Sequence, residues 1–214
     1  MTSQDPLRTV QLAPVRPAAT ATTVLLVASC AATAYGTWAD WNRYLVAEDF
    51  LAGEPGVGVA DWVSAVNASY GAVWLRLIAM LATAAALLTW MWRARINAER
   101  LNPAEHRLSR AWAIGGWFCP VVQLWYPRVV MDDLWRASRP DERGSLVRYW
   151  WFALLAYVVL LVAIRLEALG DVTVSALNTV AVYSTVSLLM LCLAAVCLIQ
   201  VVRQITRWQS TRHP

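Results

Sequence analysis

Residues 20–39 read TATTVLLVASCAATAYGTWA and carry no charged side chain. An α-helix rises about 1.5 Å per residue, so a helix of this length matches the roughly 30 Å hydrocarbon core of a bilayer. We therefore predict a first membrane span here. A cleavable signal peptide is the alternative, because Ala32-Thr33-Ala34 resembles a cleavage site. Its apolar region would be long, however, and the residues before it are weakly basic.

Three further apolar runs have a similar length. The corresponding predicted spans cover residues 72–92, 149–169 and 179–202. Of the whole chain, 59% of the residues are apolar and 15% are charged, against roughly 25% charged residues in ordinary soluble domains. The sequence therefore predicts an all-α, polytopic integral membrane protein, built as a four-helix transmembrane bundle.

The segments between these spans differ in their arginine content. Residues 40–71 hold one arginine and five acidic residues, whereas residues 93–148 hold ten arginines. Arginine-rich connections stay on the cytoplasmic side during insertion. We therefore predict an outer loop at 40–71 and a cytoplasmic loop at 93–148. The flexible N-terminal tail (residues 1–19) and the C-terminal tail (residues 203–214) are also predicted to be cytoplasmic.

Tryptophan placement agrees with this topology, because amphipathic rings concentrate at the depth of the lipid headgroups. Tryptophans are expected to form two interfacial belts, one at each end of the bundle. The outer belt comprises Trp38, Trp41, Trp62 and Trp74, and the inner belt comprises Trp90, Trp92, Trp150, Trp151 and Trp208.

Composition also limits the chemistry. All 18 basic residues are arginine, so a lysine Schiff base and the lysine of a Walker A loop are excluded. The four cysteines form no CxxC or CxxxC pair, and the only histidines are His106 and His213. We predict no cofactor and no metal site. The arginines flank apolar segments and do not form a separate basic domain, so we also predict no nucleic-acid partner.

One segment between the second and third spans is unusual. Residues 111–127, which we call the elbow, read AWAIGGWFCPVVQLWYP. These residues are too few for a fifth span, which would also place arginines outside. Pro120 bars a straight helix. We predict a cytoplasmic elbow, interfacial or re-entrant, between a short helix that begins at Asn102-Pro103 and an amphipathic helix that begins at Pro127.

The elbow and the amphipathic helix carry a recognisable motif. It consists of Gly116-Trp117-Phe118 with Pro120, then Leu124-Trp125 with Pro127, then Asp133-Leu134-Trp135 and Ser138. With this motif the chain resembles an actinobacterial membrane family catalogued as domain of unknown function 4328, from the first span to the fourth. Gln123 stands where asparagine is more usual. The resemblance implies the plasma membrane of a bacterium and assigns no catalytic residue.

Two groups of residues are candidate sites. The candidate interaction site is the elbow with the helix after it, namely Gly116, Trp117, Phe118, Pro120, Leu124, Trp125, Pro127, Asp133 and Trp135. The candidate intramembrane polar site is Arg76, Arg165 and Glu167, because charges within spans often mark functional pathways. These arginines either pair with Glu167 or Asp171, which would be structural, or line an outer cavity that binds an anion. Asp132 and Asp133 are interpreted as a solvated helix face.

Three functions fit these patterns. The favoured one is a non-enzymatic membrane protein whose elbow contacts anionic lipid headgroups on the cytoplasmic side, or a partner protein. A small transporter or channel, as a homo-oligomer, is the alternative, with Asn178, Thr83, Thr185 and Ser187 as the few polar residues at mid-span. A lipid-modifying enzyme that uses Asp132, Asp133 or His106 ranks last, because no complete catalytic group is visible.

Overall fold

The computed structural model describes residues 12–101, 108–138 and 145–211, and this part of the chain is helical without β-strands. The elements are α1 (Arg16–Ala52), α2 (Val59–Leu101), α3 (Trp112–Gly115), a 3₁₀ turn η1 (Val122–Leu124), α4 (Tyr126–Ser138), α5 (Ser145–Glu167) and α6 (Val174–Thr211). Four of them, α1, α2, α5 and α6, are long and apolar enough to cross a membrane. The prediction of four such helices is confirmed.

The helices are longer than the predicted spans. Helix α1 continues to Ala52 and ends at Gly53, whose φ of 72° is left-handed and whose N–H bonds to the carbonyls of Asp49 and Phe50. Residues 40–52 and 59–71, predicted as loop, are therefore helical, and neither 40–52 nor 59–70 contains a glycine or a proline. Three of the predicted spans lie inside these helices, and the span at 149–169 runs two residues past the end of α5; their bounds remain predictions.

Residues 12–19, which belong to the predicted N-terminal tail, contact the helices in the described part of the chain. The N–H of Ala13 donates to Asn97 Oδ1 at 2.7 Å, and Asn97 Nδ2 donates back to the carbonyl of Ala13 at 2.9 Å. Asn97 Nδ2 also lies 3.4 Å from Gln209 Oε1, and Gln209 Nε2 donates to the carbonyl of Ala94. These hydrogen bonds tie the N-terminal segment, α2 and α6 together.

The four long helices form a bundle in which they follow one another in the order α2, α1, α6, α5, and α2 also contacts α6. Helix α1 packs against α2 and α6, and α5 packs against α6, whereas the backbones of α2 and α5 stay apart. At one end of the bundle, the terminal end, α4 contacts α2, α5 and α6 and bridges this gap. At the other end, the distal end, α1 joins α2 and α5 joins α6. This helix order leaves a cleft between α2 and α5, and α4 covers the cleft at the terminal end.

A well-packed core lies beneath α4 at the terminal end. Its fully buried side chains include Trp90, Met91, Val130, Met131, Leu134, Val147, Trp150, Val201 and Ile205. Trp90 donates from Nε1 to Thr206 Oγ1 at 3.1 Å. Trp90, Trp150 and Trp151 were expected in an interfacial belt, but they are buried against other helices, so that prediction is wrong for these three rings.

Candidate functional site

The elbow turns at Gly116, which packs too closely for any larger residue. A Cβ placed there would lie 2.9 Å from the carbonyl oxygen of Trp112 and 2.9 Å from Cβ of Tyr126. The rings of Trp112 and Tyr126 meet edge to face at 4.8 Å. Glycine is thus required by the close approach of α3 to the start of α4. None of the elbow's helical turns is long enough to cross a membrane.

One side of the elbow is anchored to α5 by aromatic contacts. The half-buried ring of Trp117 lies 6.4 Å from Trp150 and 6.3 Å from Trp151, between ring centroids. Trp151 Nε1 donates to the carbonyl of Leu124 at 3.0 Å. The predicted site residue Trp117 is therefore part of the elbow's support.

The other side of the elbow exposes apolar side chains, which we call the elbow face. The exposed fractions are 72% for Phe118, 65% for Val121, 52% for Leu124 and 45% for Trp125. Val121 was not among the predicted site residues. Because Trp151 holds the carbonyl of Leu124, the elbow face adjoins the exposed ring of Phe152 on α5. Arg128 lies over that ring at 5.8 Å.

Helix α4 is amphipathic, as predicted, but its two aspartates differ. Asp132 is half-buried and forms an ion pair with Arg128 at 3.8 Å. Asp133 is fully buried, so the prediction that both aspartates form a solvated face is wrong for Asp133. Pro127 is also buried, and the ring of Trp135 meets that of Trp208 edge to face at 4.9 Å. Three of the predicted site residues therefore hold α4 in place.

Charged residues fasten the start of the elbow to α2. Glu99 accepts from Arg95 Nε at 3.0 Å and from Arg110 Nε at 3.0 Å, and the buried Arg95 also donates to the carbonyl of Leu108. The hydrogen bond to Glu99 raises the pKa of Arg110, which keeps this guanidinium charged. The helix predicted at Asn102-Pro103 and the candidate His106 lie outside the described residues.

The structure brings Arg76, Arg165 and Glu167, the residues of the predicted polar site, close together. All three residues line one cavity of about 350 Å³ at the distal end, which we call the distal cavity. Its walls come from α1, α2, α5 and α6, and it occupies the gap between α2 and α5. Below it, Tyr157 of α5 donates to Met80 Sδ of α2 at 3.4 Å. The cleft is therefore closed by side chains at that level.

The partner of Arg76 is not one of the acids that we expected. Arg76 Nη2 lies 4.0 Å from Asp40 Oδ2, and Ser184 Oγ donates to the same carboxylate oxygen. Glu167 and Asp171 line the distal cavity but form no ion pair with Arg76. The guanidinium rests against Gly36, where a Cβ would overlap it. Asp40 is placed there because α1 continues as a helix past residue 39.

Sequence reasoning missed Asp40, Arg43 and Ser184 as parts of this site. A signal was present, because Thr33, Gly36, Thr37 and Asp40 recur at helical spacing and form one small and polar face. Such faces are typical of close helix packing in membranes. The break assumed at residue 40 concealed this pattern.

Three of the four polar residues predicted as candidates for a transport path, Thr83, Thr185 and Ser187, form hydrogen bonds within the bundle. Thr83 Oγ1 and Ser29 Oγ lie 2.9 Å apart. Trp41 Nε1 donates to Thr185 Oγ1 at 2.9 Å, and Ser187 Oγ donates to the carbonyl of Ser184 at 2.9 Å. In the described ranges, no group of three or more histidine, cysteine or acidic residues could hold a metal ion.

Comparison with protein families gives one match. The model of a family described as Domain of unknown function (DUF4328) matches residues 54–207. The chain belongs to this family. The match includes the elbow, α4 and Arg76, and it begins after α1, which carries Asp40. No curated protein and no solved structure matches the chain, so family membership supplies an architecture with no assigned activity.

Proposed function

We propose that the protein is a non-enzymatic membrane protein whose elbow face contacts anionic lipid headgroups in the leaflet at the terminal end. The observation that carries this proposal is an exposed apolar elbow face close to Arg128. The face consists of Phe118, Val121, Leu124 and Trp125, with exposed fractions between 45% and 72%. Exposed apolar patches that have polar rims are typical of protein or membrane contacts.

The support under the elbow face favours a lipid contact. The elbow is held by Trp117 against Trp150 and Trp151, so its exposed side chains are presented on a fixed base. Leu124 of this face is held by Trp151, and the next residue, Phe152, is exposed on α5, a helix that is apolar enough to cross a membrane. A surface continuous with a lipid-facing helix is expected to meet lipid first.

Two arginines lie over exposed aromatic rings of α5. Arg128 lies over Phe152 and Arg148 lies over Tyr149. A second basic feature, which we call the basic groove, lies between α1 and α6 with a volume of about 400 Å³. Arg16, Arg203 and Arg207 line it. Basic pockets between membrane helices bind anionic headgroups, and each arginine near such a surface contributes about 1 kcal/mol.

The test is a measurement of depth in the membrane. Nitroxide labels are placed at Val121→Cys on the elbow face and at the exposed control position Ser109→Cys, in full-length protein that lacks the native cysteines. Collision with oxygen and with a water-soluble nickel chelate reports whether each label lies in lipid or in water. We expect lipid accessibility at residue 121 and water accessibility at residue 109, with a deeper position at residue 121 in phosphatidylglycerol than in phosphatidylcholine.

Two results would decide against anionic lipid as the partner of the elbow face. Equal water accessibility at both positions would show that the elbow face is not in the membrane, and a partner protein would become the favoured occupant. Equal depth in the two lipids would remove the role of the arginines. A small oligomeric transporter remains the alternative function, and it rests on the distal cavity, which the contact between Tyr157 and Met80 closes at mid-bundle.

A further inference from the structure

The distal cavity contains a buried guanidinium with unused donors. Arg76 is 7% exposed, and Asp40 faces it at 4.0 Å, beyond hydrogen-bond distance. The Nε of Arg76 is buried and has no hydrogen-bond partner in the described part of the chain. Guanidinium groups carry five donors, and leaving such donors unsatisfied in a buried site is costly. The cavity beside Arg76 is where an acceptor can enter.

Two more arginines line the same cavity. Arg43 of α1 and Arg165 of α5 both line its wall. The Nε of Arg43 is buried without a hydrogen-bond partner among the described residues, and its guanidinium lies 5.6 Å from the ring centroid of Trp62. Asp40 is the acidic residue that faces Arg76, and its carboxylate already accepts from Ser184. Glu167 and Asp171 lie in exposed positions at the end of α5 and in the turn after it. Arg165 is exposed as well, so the walls as a whole carry three arginines and three acids, whereas in the less exposed part of the cavity Arg76 and Arg43 face one carboxylate, that of Asp40.

The position of the cavity indicates where its ligand comes from. It opens in the gap between α2 and α5, whose outward side chains are apolar. Tyr70 and Trp74 line it and are exposed, and amphipathic rings of this kind concentrate at the depth of lipid headgroups. Lipid phosphates are concentrated at the same depth.

We infer that the distal cavity is a phosphate-binding site in which Arg76, Arg43 and Arg165 bind the oxyanion. Guanidinium groups match phosphate oxygens in pairs, which makes arginine well suited to this role. The phosphate of a lipid headgroup can enter sideways from the membrane, and a free phosphate can enter from water. This site lies at the opposite end of the bundle from the elbow, so it is independent of the proposed function.

The experiment measures protection of a cysteine inside the cavity. Ala176 lines the cavity and is half-buried, so Ala176→Cys is placed in full-length protein without the native cysteines and is labelled with a maleimide. Three additives are compared: short-chain phosphatidylglycerol, inorganic phosphate, and an uncharged alkyl maltoside of the same chain length. Ser64→Cys, which is exposed outside the cavity, controls for effects on the reagent.

We expect phosphatidylglycerol to slow labelling at residue 176 and to leave residue 64 unchanged. Protection by inorganic phosphate as well would show that free phosphate also enters, and protection by the lipid alone would show that the phosphate comes from the membrane. The exposed Arg165 allows a variant that keeps the buried pair intact. Arg165→Gln should weaken protection about tenfold, since a charged hydrogen bond is lost, whereas Arg148→Gln at the terminal end should leave it unchanged.

The inference is overturned if neither phosphate compound protects residue 176, or if the maltoside protects it equally, because apolar filling would then explain the result. It is also overturned if Arg165→Gln and a second variant, Arg43→Gln, both retain full protection while remaining folded.

Discussion

Substitution of Gly116 by alanine tests the packing that holds the elbow. The added Cβ would lie 2.9 Å from both the carbonyl oxygen of Trp112 and Cβ of Tyr126. That is about 0.6 Å shorter than the closest favourable carbon separation of roughly 3.5 Å. Neither neighbour is the far end of a flexible side chain, so α3 and the start of α4 must move apart. The backbone φ of Gly116 is −62°, which alanine adopts easily, so any effect is steric.

The neighbouring glycine supplies a matched control. A Cβ at Gly115 would lie 3.8 Å from Trp112 Cε3, an ordinary contact. Gly115→Ala should therefore stabilise the short helix by about 0.5–1 kcal/mol, because alanine restricts the unfolded chain. Gly116→Ala should destabilise the protein by about 1–3 kcal/mol, the usual cost of overpacking. The two variants have the same composition and opposite expected signs.

Thermal unfolding of both variants in the same detergent measures this difference. About 1 kcal/mol moves the unfolding midpoint by about 2–4 °C for a chain of this size, so we expect Gly116→Ala to lie clearly below wild type and Gly115→Ala at or above it. The nitroxide at residue 121 should also become more mobile in Gly116→Ala. Equal midpoints for the two alanine variants would refute the close contact between α3 and α4.

Three further predictions follow from contacts elsewhere. Trp151→Phe keeps most of the ring but loses the hydrogen bond to Leu124, so it should cost about 1 kcal/mol in thermal unfolding and increase backbone exchange in the elbow; unchanged exchange would argue against the anchor. Asn97→Leu leaves backbone groups of the N-terminal segment unpaired and should lower the free energy of unfolding by about 1–3 kcal/mol. The readout is new proteolysis near residue 13, and a segment that stays uncleaved would contradict the prediction. An impermeant maleimide should label Ser64→Cys in intact cells but label Ser109→Cys only after permeabilisation; the opposite pattern would invert the predicted orientation.

The sequence was sufficient for the number and type of the long helices. Uncharged runs of about twenty residues have one good physical solution in a membrane, because a helix satisfies its own backbone hydrogen bonds. The amphipathic character of α4 was also readable, since its apolar residues recur at helical spacing. Pairwise contacts were not readable. Whether Trp117 points into the protein or away from it depends on Trp150 and Trp151, which lie more than thirty residues further along the chain.

For the candidate sites too, the residues could be predicted from the sequence, whereas their contacts could not. Arg76, Arg165 and Glu167 were selected as charges in apolar surroundings, and the structure places them around one cavity. The elbow was selected for its glycine, proline and aromatic content, and the structure divides its residues into a buried support and the exposed elbow face. That division requires knowledge of what packs against the elbow, and a single sequence does not contain it.

Two predictions were wrong near the ends of the predicted spans: the loop that was assigned from residue 40 onward, and the membrane belt that was assigned to three tryptophans. The predicted helices end where their uncharged runs end, and this prediction assumes that a helix stops at the edge of the membrane. Helix α1 continues to Ala52, and α6 reaches Thr211, so the helices also pack against each other beyond the apolar runs. Asp40 consequently faces Arg76 within a helix interface. Trp90, Trp150 and Trp151 lie within the predicted spans, and they are buried because α4 and the neighbouring helices pack over them. A charge just after an apolar run is therefore better tested first for helical spacing with the residues before it, and only then assigned to a loop.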